Sequence, residues 1–92
     1  VIDQIGAILA KYPQVKQAIL YGSRAMGTFK PGSDIDISLK GKELTLSALN
    51  RIAGDFDDSF LPYTFDISIF HHINNPALVE HIKTVGIDLL PH

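Results

Sequence analysis

The sequence predicts an α/β or α+β domain in which helices cover a small sheet. Three observations carry that prediction. Residues 34 to 39, Asp-Ile-Asp-Ile-Ser-Leu, alternate strictly between polar and apolar, and residues 63 to 70 repeat much of the pattern. Between and around these runs, apolar residues recur at helical spacing, and Gly, Pro and Asn punctuate the joints. The order that results is helix, strand, short turn, strand, helix, strand, helix, with no repeat, linker or low-complexity tract.

Ile2, Ile5, Ile8, Leu9 and Tyr12 fall on one helical face, with Asp3 in the first turn and Pro13 ending the run. Residues 17 to 21, Gln-Ala-Ile-Leu-Tyr, form a short apolar run stopped by Gly22, which suits a buried strand. Residues 24 to 27 are compatible with a helical turn, and Lys30-Pro31-Gly32-Ser33 reads as a loop. The alternation from Asp34 makes a second, half-buried strand. Leu46, Leu49, Ile52, Ala53 and Phe56 then return to helical spacing up to about Asp57, with Thr45 as N-cap and Gly54 as a weak spot. Tyr63 to Phe70 is rich in aromatic and β-branched residues and makes strand three. Asn75 caps a last helix with Pro76 at its first position, Leu78, Val79, Ile82 and Val85 as its apolar face and Gly86 as its stop.

Ninety-two residues leave room for one domain, spanning residues 1–92, and 46% hydrophobic residues suffice for a core. A domain of this size buries only about two-thirds of its unfolded surface, so its stability is expected to be modest. Eight basic and ten acidic residues give a net charge of -2, which argues against a broad surface for nucleic acid or acidic membrane; any phosphate binding is local. The absence of cysteine excludes disulfides and thiolate metal sites. No apolar run approaches the ~20 residues of a membrane span, and the opening residues lack the pattern of a signal peptide, so a soluble, cytoplasmic protein is expected.

Asp34 and Asp36 stand two apart in a strand, on one face, with Cα atoms roughly 6.5 to 7 Å apart, so their carboxyl groups can converge. Paired carboxylates suit hard Mg²⁺, and sites with two metal ions place them about 3.5 to 4 Å apart. Taken alone, an Asp-x-Asp is better explained by a solvated strand face, since short motifs often match by chance. A third carboxylate changes the balance. Asp66 and Ser68 alternate against Phe65, Ile67 and Ile69 as Asp34, Asp36 and Ser38 alternate against Ile35, Ile37 and Leu39. If the two strands are neighbours, all three aspartates share a face, and a cation is the economical answer to their repulsion.

Gly22 and Ser23 follow a strand, where a glycine lets the backbone approach a ligand and the amides and hydroxyl can donate to phosphate; Arg24 adds charge and a forked donor. By itself, Gly-Ser is better explained by an ordinary strand-to-helix turn. The linkage is more telling, with ten residues separating this turn from the carboxylate pair. A Walker loop fails because Thr28 follows Gly27, and an EF-hand beginning at Asp34 fails because Leu39 and Thr45 occupy its glycine and glutamate positions. His71 and His72 read as solvated or capping residues, Asp55, Asp57 and Asp58 as a solvated helix end, and His81 as a helix-surface residue. Lys40 and Lys42 read as a solvated turn, with a lysine there able to reach a triphosphate.

Gly22-Ser23-Arg24-Ala25-Met26-Gly27 followed by Ser33-Asp34-Ile35-Asp36-Ile37 closely resembles the nucleotidyltransferases of the DNA polymerase beta superfamily, and most of all their minimal branch. The resemblance runs from the first helix through Asp66 to the closing helix. Met26 departs from it, since family members often carry a basic residue there. The resemblance implies a nucleotidyltransferase fold with a small mixed sheet, and transfer of a nucleoside monophosphate, AMP from ATP, to an acceptor hydroxyl with release of pyrophosphate. It implies that Gly22 and Ser23 hold the nucleoside triphosphate with help from Arg24. Asp34 and Asp36 would bind two Mg²⁺ ions, with Asp66 joining the catalytic ion and helping to deprotonate the acceptor. It further implies a separate helical HEPN-type partner protein, which the chain would adenylylate as an antitoxin. A small-molecule acceptor such as an aminoglycoside, or a non-catalytic module that neutralises its partner by contact, are the alternatives; the presence of all three aspartates argues against a dead site.

Overall fold

The computed structural model describes residues 2–21, 34–59, 61 and 63–90. The side chains of Ile2 and Asp34 lie outside that description, as do the expected turn at residues 24 to 27 and the loop at 30 to 33.

Helix α1 spans Ile2–Leu9 and buries Ile5 and Leu9. It stops a turn earlier than the apolar spacing through Tyr12 suggests. Lys11 and Tyr12 donate to Ile8 and Leu9, a tightened bonding pattern that leads the chain into Pro13. Strands β1 (Gln17–Tyr21) and β2 (Asp34–Lys40) follow, then α2 (Leu46–Asp58), β3 (Thr64–Ile69), a 3-10 turn at Phe70–His72, α3 (Pro76–Val85) and β4 (Ile87–Asp88). The α2 start is the one the sequence signals: the Thr45 hydroxyl accepts from the Ala48 amide at 3.1 Å, and Ala48, Ile52 and Phe56 form the buried stripe. Asn75 caps α3 by accepting from Ala77 and Leu78, ahead of Pro76 at the first position.

The four strands line up as β3-β2-β1-β4. β1 runs antiparallel to both β2 and β4, whereas β2 and β3 are parallel, with α2 between them in the chain, so the sheet is mixed. β4 has no counterpart in the sequence reading. Two residues are too few for a legible alternation, and the strand exists because Ile87 and Asp88 pair with Leu20 and Ile19, with the Leu89 amide donating to Ala18 at 2.8 Å.

Alternation gives the sheet two different faces. Ala18, Leu20, Ile35, Ile37, Leu39 and Ile69 pack with Ile5 and Leu9 of α1 and Ala48, Ile52 and Phe56 of α2 in the larger core. On the opposite face Ile19 and Tyr21 join Ile82 of α3 in a smaller cluster, edged by Phe70, Ile73, Leu78 and Val85. Gly86 ends α3 as the sequence signals, but not through a left-handed backbone, since its φ is -67°. A Cβ here would meet both the Ile19 side chain and the Ile82 carbonyl oxygen at 2.3 Å, so closeness of α3 to β1 is what calls for glycine.

Asp55 is more than part of a solvated helix end. It is half-buried, accepts a hydrogen bond from the Tyr12 hydroxyl and lies 3.8 Å from Lys11 Nζ, tying α2 to the segment after α1.

Candidate active site

Strand register builds the site in rungs. Tyr21 of β1 is the Cα partner of Asp36 in β2, and Asp36 is the partner of Asp66 in β3, so the phenol and two carboxylates occupy one row on one face. Neighbouring strands run about 4.8 Å apart, close enough for the two acids to share a ligand. The Asp34 backbone opens β2 opposite Thr64, two residues before Asp36. The next rung inward is Ile19, Ser38 and Ser68. Gly22, Ser23 and Arg24 lie outside the described residues and follow directly on Tyr21.

Asp66 is exposed and Asp36 partly so, whereas Tyr21 is buried. Burial raises the Tyr21 phenol above its usual 10.0, with the charges of Asp36 and Asp66 adding to the rise and the nearby Ser68 hydroxyl opposing it. The Ser68 influence is one of proximity, because Ser68 Oγ is buried with no hydrogen bond of normal distance and angle, as is Ser38 Oγ in a residue that is 0% exposed. From α3, the His81 ring meets the Tyr21 ring edge-on at 6.5 Å between centroids. His81 is exposed on its helix, as expected, with one ring edge toward Tyr21.

Among the described residues, no group of three or more histidine or acidic side chains is placed to hold a metal ion, and the Asp34 side chain is not one of them. The donor set nevertheless suits a hard cation. Asp36 and Asp66 offer oxygen ligands from adjacent strands, with Asp66 exposed and Asp36 partly so. Neither lysine near the end of β2 serves this row. Lys40 Nζ sits 4.4 Å from the centre of the Phe70 ring, and Lys42 lies past the end of β2 remote from Asp34, lining a pocket of about 320 Å³ with Gln14, Lys16 and Glu43. His71 and His72 are exposed in the 3-10 turn.

Sequence reasoning passed over Tyr21, His81 and the two serines as site neighbours. The alternation already put Ser38 and Ser68 on the carboxylate face, but Tyr21 enters only through the β1–β2 register and His81 only through the packing of α3, and no local pattern encodes either.

Residues 3–91 match the family model described as polymerase beta, nucleotidyltransferase. The chain belongs to that nucleotidyltransferase family. Its members include minimal nucleotidyltransferases, the branch the sequence motif resembles. Solved structures agree on the fold. A crystal structure of the toxin–antitoxin MntA-HpeT, in a mutant with two aspartates two positions apart changed to glutamate, superposes with a TM-score of 0.79 at 22% identity, covering 97% of this chain and 72% of that one. A crystal structure of a toxin–antitoxin with AMP-PNP gives 0.78 at 24% identity, covering 96% and 71%. No curated protein matches by sequence. No helix among the described residues is long and apolar enough to cross a membrane.

Proposed function

We propose that this nucleotidyltransferase-family chain transfers AMP from ATP to a hydroxyl on a separate HEPN-type helical protein and acts as the antitoxin of that pair. The observation that carries the proposal is the in-register alignment of Asp36 with Asp66 on the accessible face, in a chain of this family. Support for the setting comes from the fold likeness to chains of toxin–antitoxin structures, one of them with an ATP analogue.

In this reading Asp34 and Asp36 would hold two Mg²⁺ ions, and Asp66 would join the catalytic one. When bound, the ions neutralise phosphate charge and lower the pKa of the attacking hydroxyl. Gly22 and Ser23 present amide and hydroxyl donors to the triphosphate, and Arg24 adds a guanidinium against its charge. Asp66 accepts the proton of the acceptor hydroxyl as that oxygen bonds to the α-phosphorus. The bond from the α-phosphorus to its bridging oxygen breaks, and pyrophosphate leaves. Positioning and charge neutralisation supply most of the rate in such a transfer. Tyr21, buried beside both carboxylates and against His81, limits water on one side of the row.

Incubation with labelled ATP, Mg²⁺ and the helical protein encoded next to it should leave label on that protein. Asp36→Asn should abolish the label while the thermal melt persists. Tight binding of the partner with no labelling by any nucleoside triphosphate would overturn transfer in favour of neutralisation by contact.

A further inference from the structure

We propose that His81 is a substrate-contacting residue, whose imidazole N–H donates to the outer phosphates of the nucleoside triphosphate and to the pyrophosphate that leaves. The inference rests on the nucleotidyl transfer proposed above and deepens it by naming a contact on the leaving-group side.

Ile82 fixes the rotation of α3, since it is 2% exposed and packs with Ile19 and Tyr21 of β1. His81, one residue earlier and so about 100° round the helix, falls on the flank beside Tyr21 and stays exposed. The two rings meet edge-on, 6.5 Å apart between centroids. Lys83 of the same helix lies roughly 200° round from His81. Tyr21 in turn stands in the rung of Asp36 and Asp66, so strand order lays out that rung as Tyr21 with His81 beside it, then Asp36, then Asp66. Strands about 4.8 Å apart make the rung roughly 10 Å wide from β1 to β3.

That order has a chemical consequence. In phosphoryl transfer the attacking and leaving oxygens stand roughly in line through the phosphorus. With the acceptor hydroxyl on the Asp66 side, as proposed, pyrophosphate departs toward the Tyr21 side, where His81 stands. Gly22 and Ser23, to which the proposed function gives the triphosphate, come next after Tyr21 in the sequence. A neutral imidazole keeps an N–H on one of its two nitrogens and a protonated one has both, so His81 can donate to phosphate in either state. Negative charge grows on the leaving oxygen, and a donor aimed there favours the transition state over the ground state.

The test is calorimetric titration of α,β-methylene ATP, which cannot be cleaved at the α–β bridge, in Mg²⁺ into wild type, His81→Ala, His81→Phe and Asp36→Asn. Binding of Mn²⁺ alone and a thermal melt accompany each. Both His81 variants should bind the analogue about tenfold or more weakly than wild type, the loss of a hydrogen bond to a charged group, and should bind Mn²⁺ as wild type does. His81→Phe keeps a ring against Tyr21 but has no N–H, so it should fail as alanine does. Wild-type affinity for the analogue in either His81 variant would overturn the proposal while leaving the metal site standing. A loss that extends to Mn²⁺ alone would also overturn it, because the histidine would then act on the carboxylates and not on phosphate. Equal Mn²⁺ binding by wild type and Asp36→Asn, or no binding of the analogue by wild type, would sink the transfer reading and this inference with it.

Discussion

Asp36 and Asp66 are Cα partners across the parallel β2–β3 ladder, two like charges in one row with no lysine or arginine of the described residues in that row. Like charges directly opposite one another destabilise a sheet. A row of this kind is tolerated where a ligand of opposite charge completes it.

Asp66→Asn should therefore act in opposite directions on stability and on transfer. In metal-free buffer it should raise unfolding free energy by roughly 0.2 to 0.5 kcal/mol, the low end of the cross-strand range because Asp66 is exposed. Nucleotidyl transfer should fall by about a hundredfold or more. Urea melts in chelator and single-turnover assays in Mg²⁺ provide the two readouts, and a variant that is both less stable and fully active would contradict the arrangement.

Ile37 of β2 sits in the larger core with no exposure, on the face that α1 and α2 cover. Ile37→Ala should cost about 2 to 5 kcal/mol of unfolding free energy, from lost burial and the cavity left behind. A cost under 1 kcal/mol would mean that the core closes over the gap far better than its packing indicates.

Gly86→Ala forces a methyl group against the Ile19 side chain and the Ile82 carbonyl. The backbone at Gly86 is accessible to any residue, so the penalty is one of space, of about 1 to 3 kcal/mol. Combining the change with Ile19→Ala removes the Ile19 Cγ2 methyl that the new Cβ would meet and should return part of the loss, which a double-mutant cycle on chemical denaturation would measure.

The Tyr21 phenol ionises above its usual 10.0, first because it is buried and then because Asp36 and Asp66 stand beside it. The folded state thus holds this proton more tightly than the unfolded chain. Its contribution to stability is complete below pH 10 and is lost as the pH rises through the folded-state value. Wild type should lose stability relative to Tyr21→Phe above pH 10 and not below it. A stability difference that is flat from pH 8 to pH 11 would contradict the assignment.

Much of this molecule could be read from local pattern. The cap at Thr45 and the pair Asn75-Pro76 mark their elements because each depends on hydrogen bonds within a few residues, and the alternation at Asp34 marks a strand because successive side chains point to opposite faces. What escaped depends on distant partners. β4 exists through Leu20 and Ile19, the true ligand of Asp55 is Tyr12 far earlier in the chain, and Gly86 is required by Ile19. The carboxylate row falls between these cases. Sequence placed Asp36 and Asp66 on equivalent faces of their own strands, but their meeting required β2 and β3 to be neighbours in exact register.

The unequal covering of the two sheet faces bears on motion. Among the described residues, the face under α1 and α2 is held by a cluster of thirteen buried side chains, whereas the face under α3 joins Ile19, Tyr21 and Ile82. Contributions to cohesion grow with buried apolar area, so the α3 layer can detach at a fraction of the free energy of global unfolding. The layer over β1 can then breathe while the opposite layer stays folded, giving α3 amides faster hydrogen exchange than those of α2.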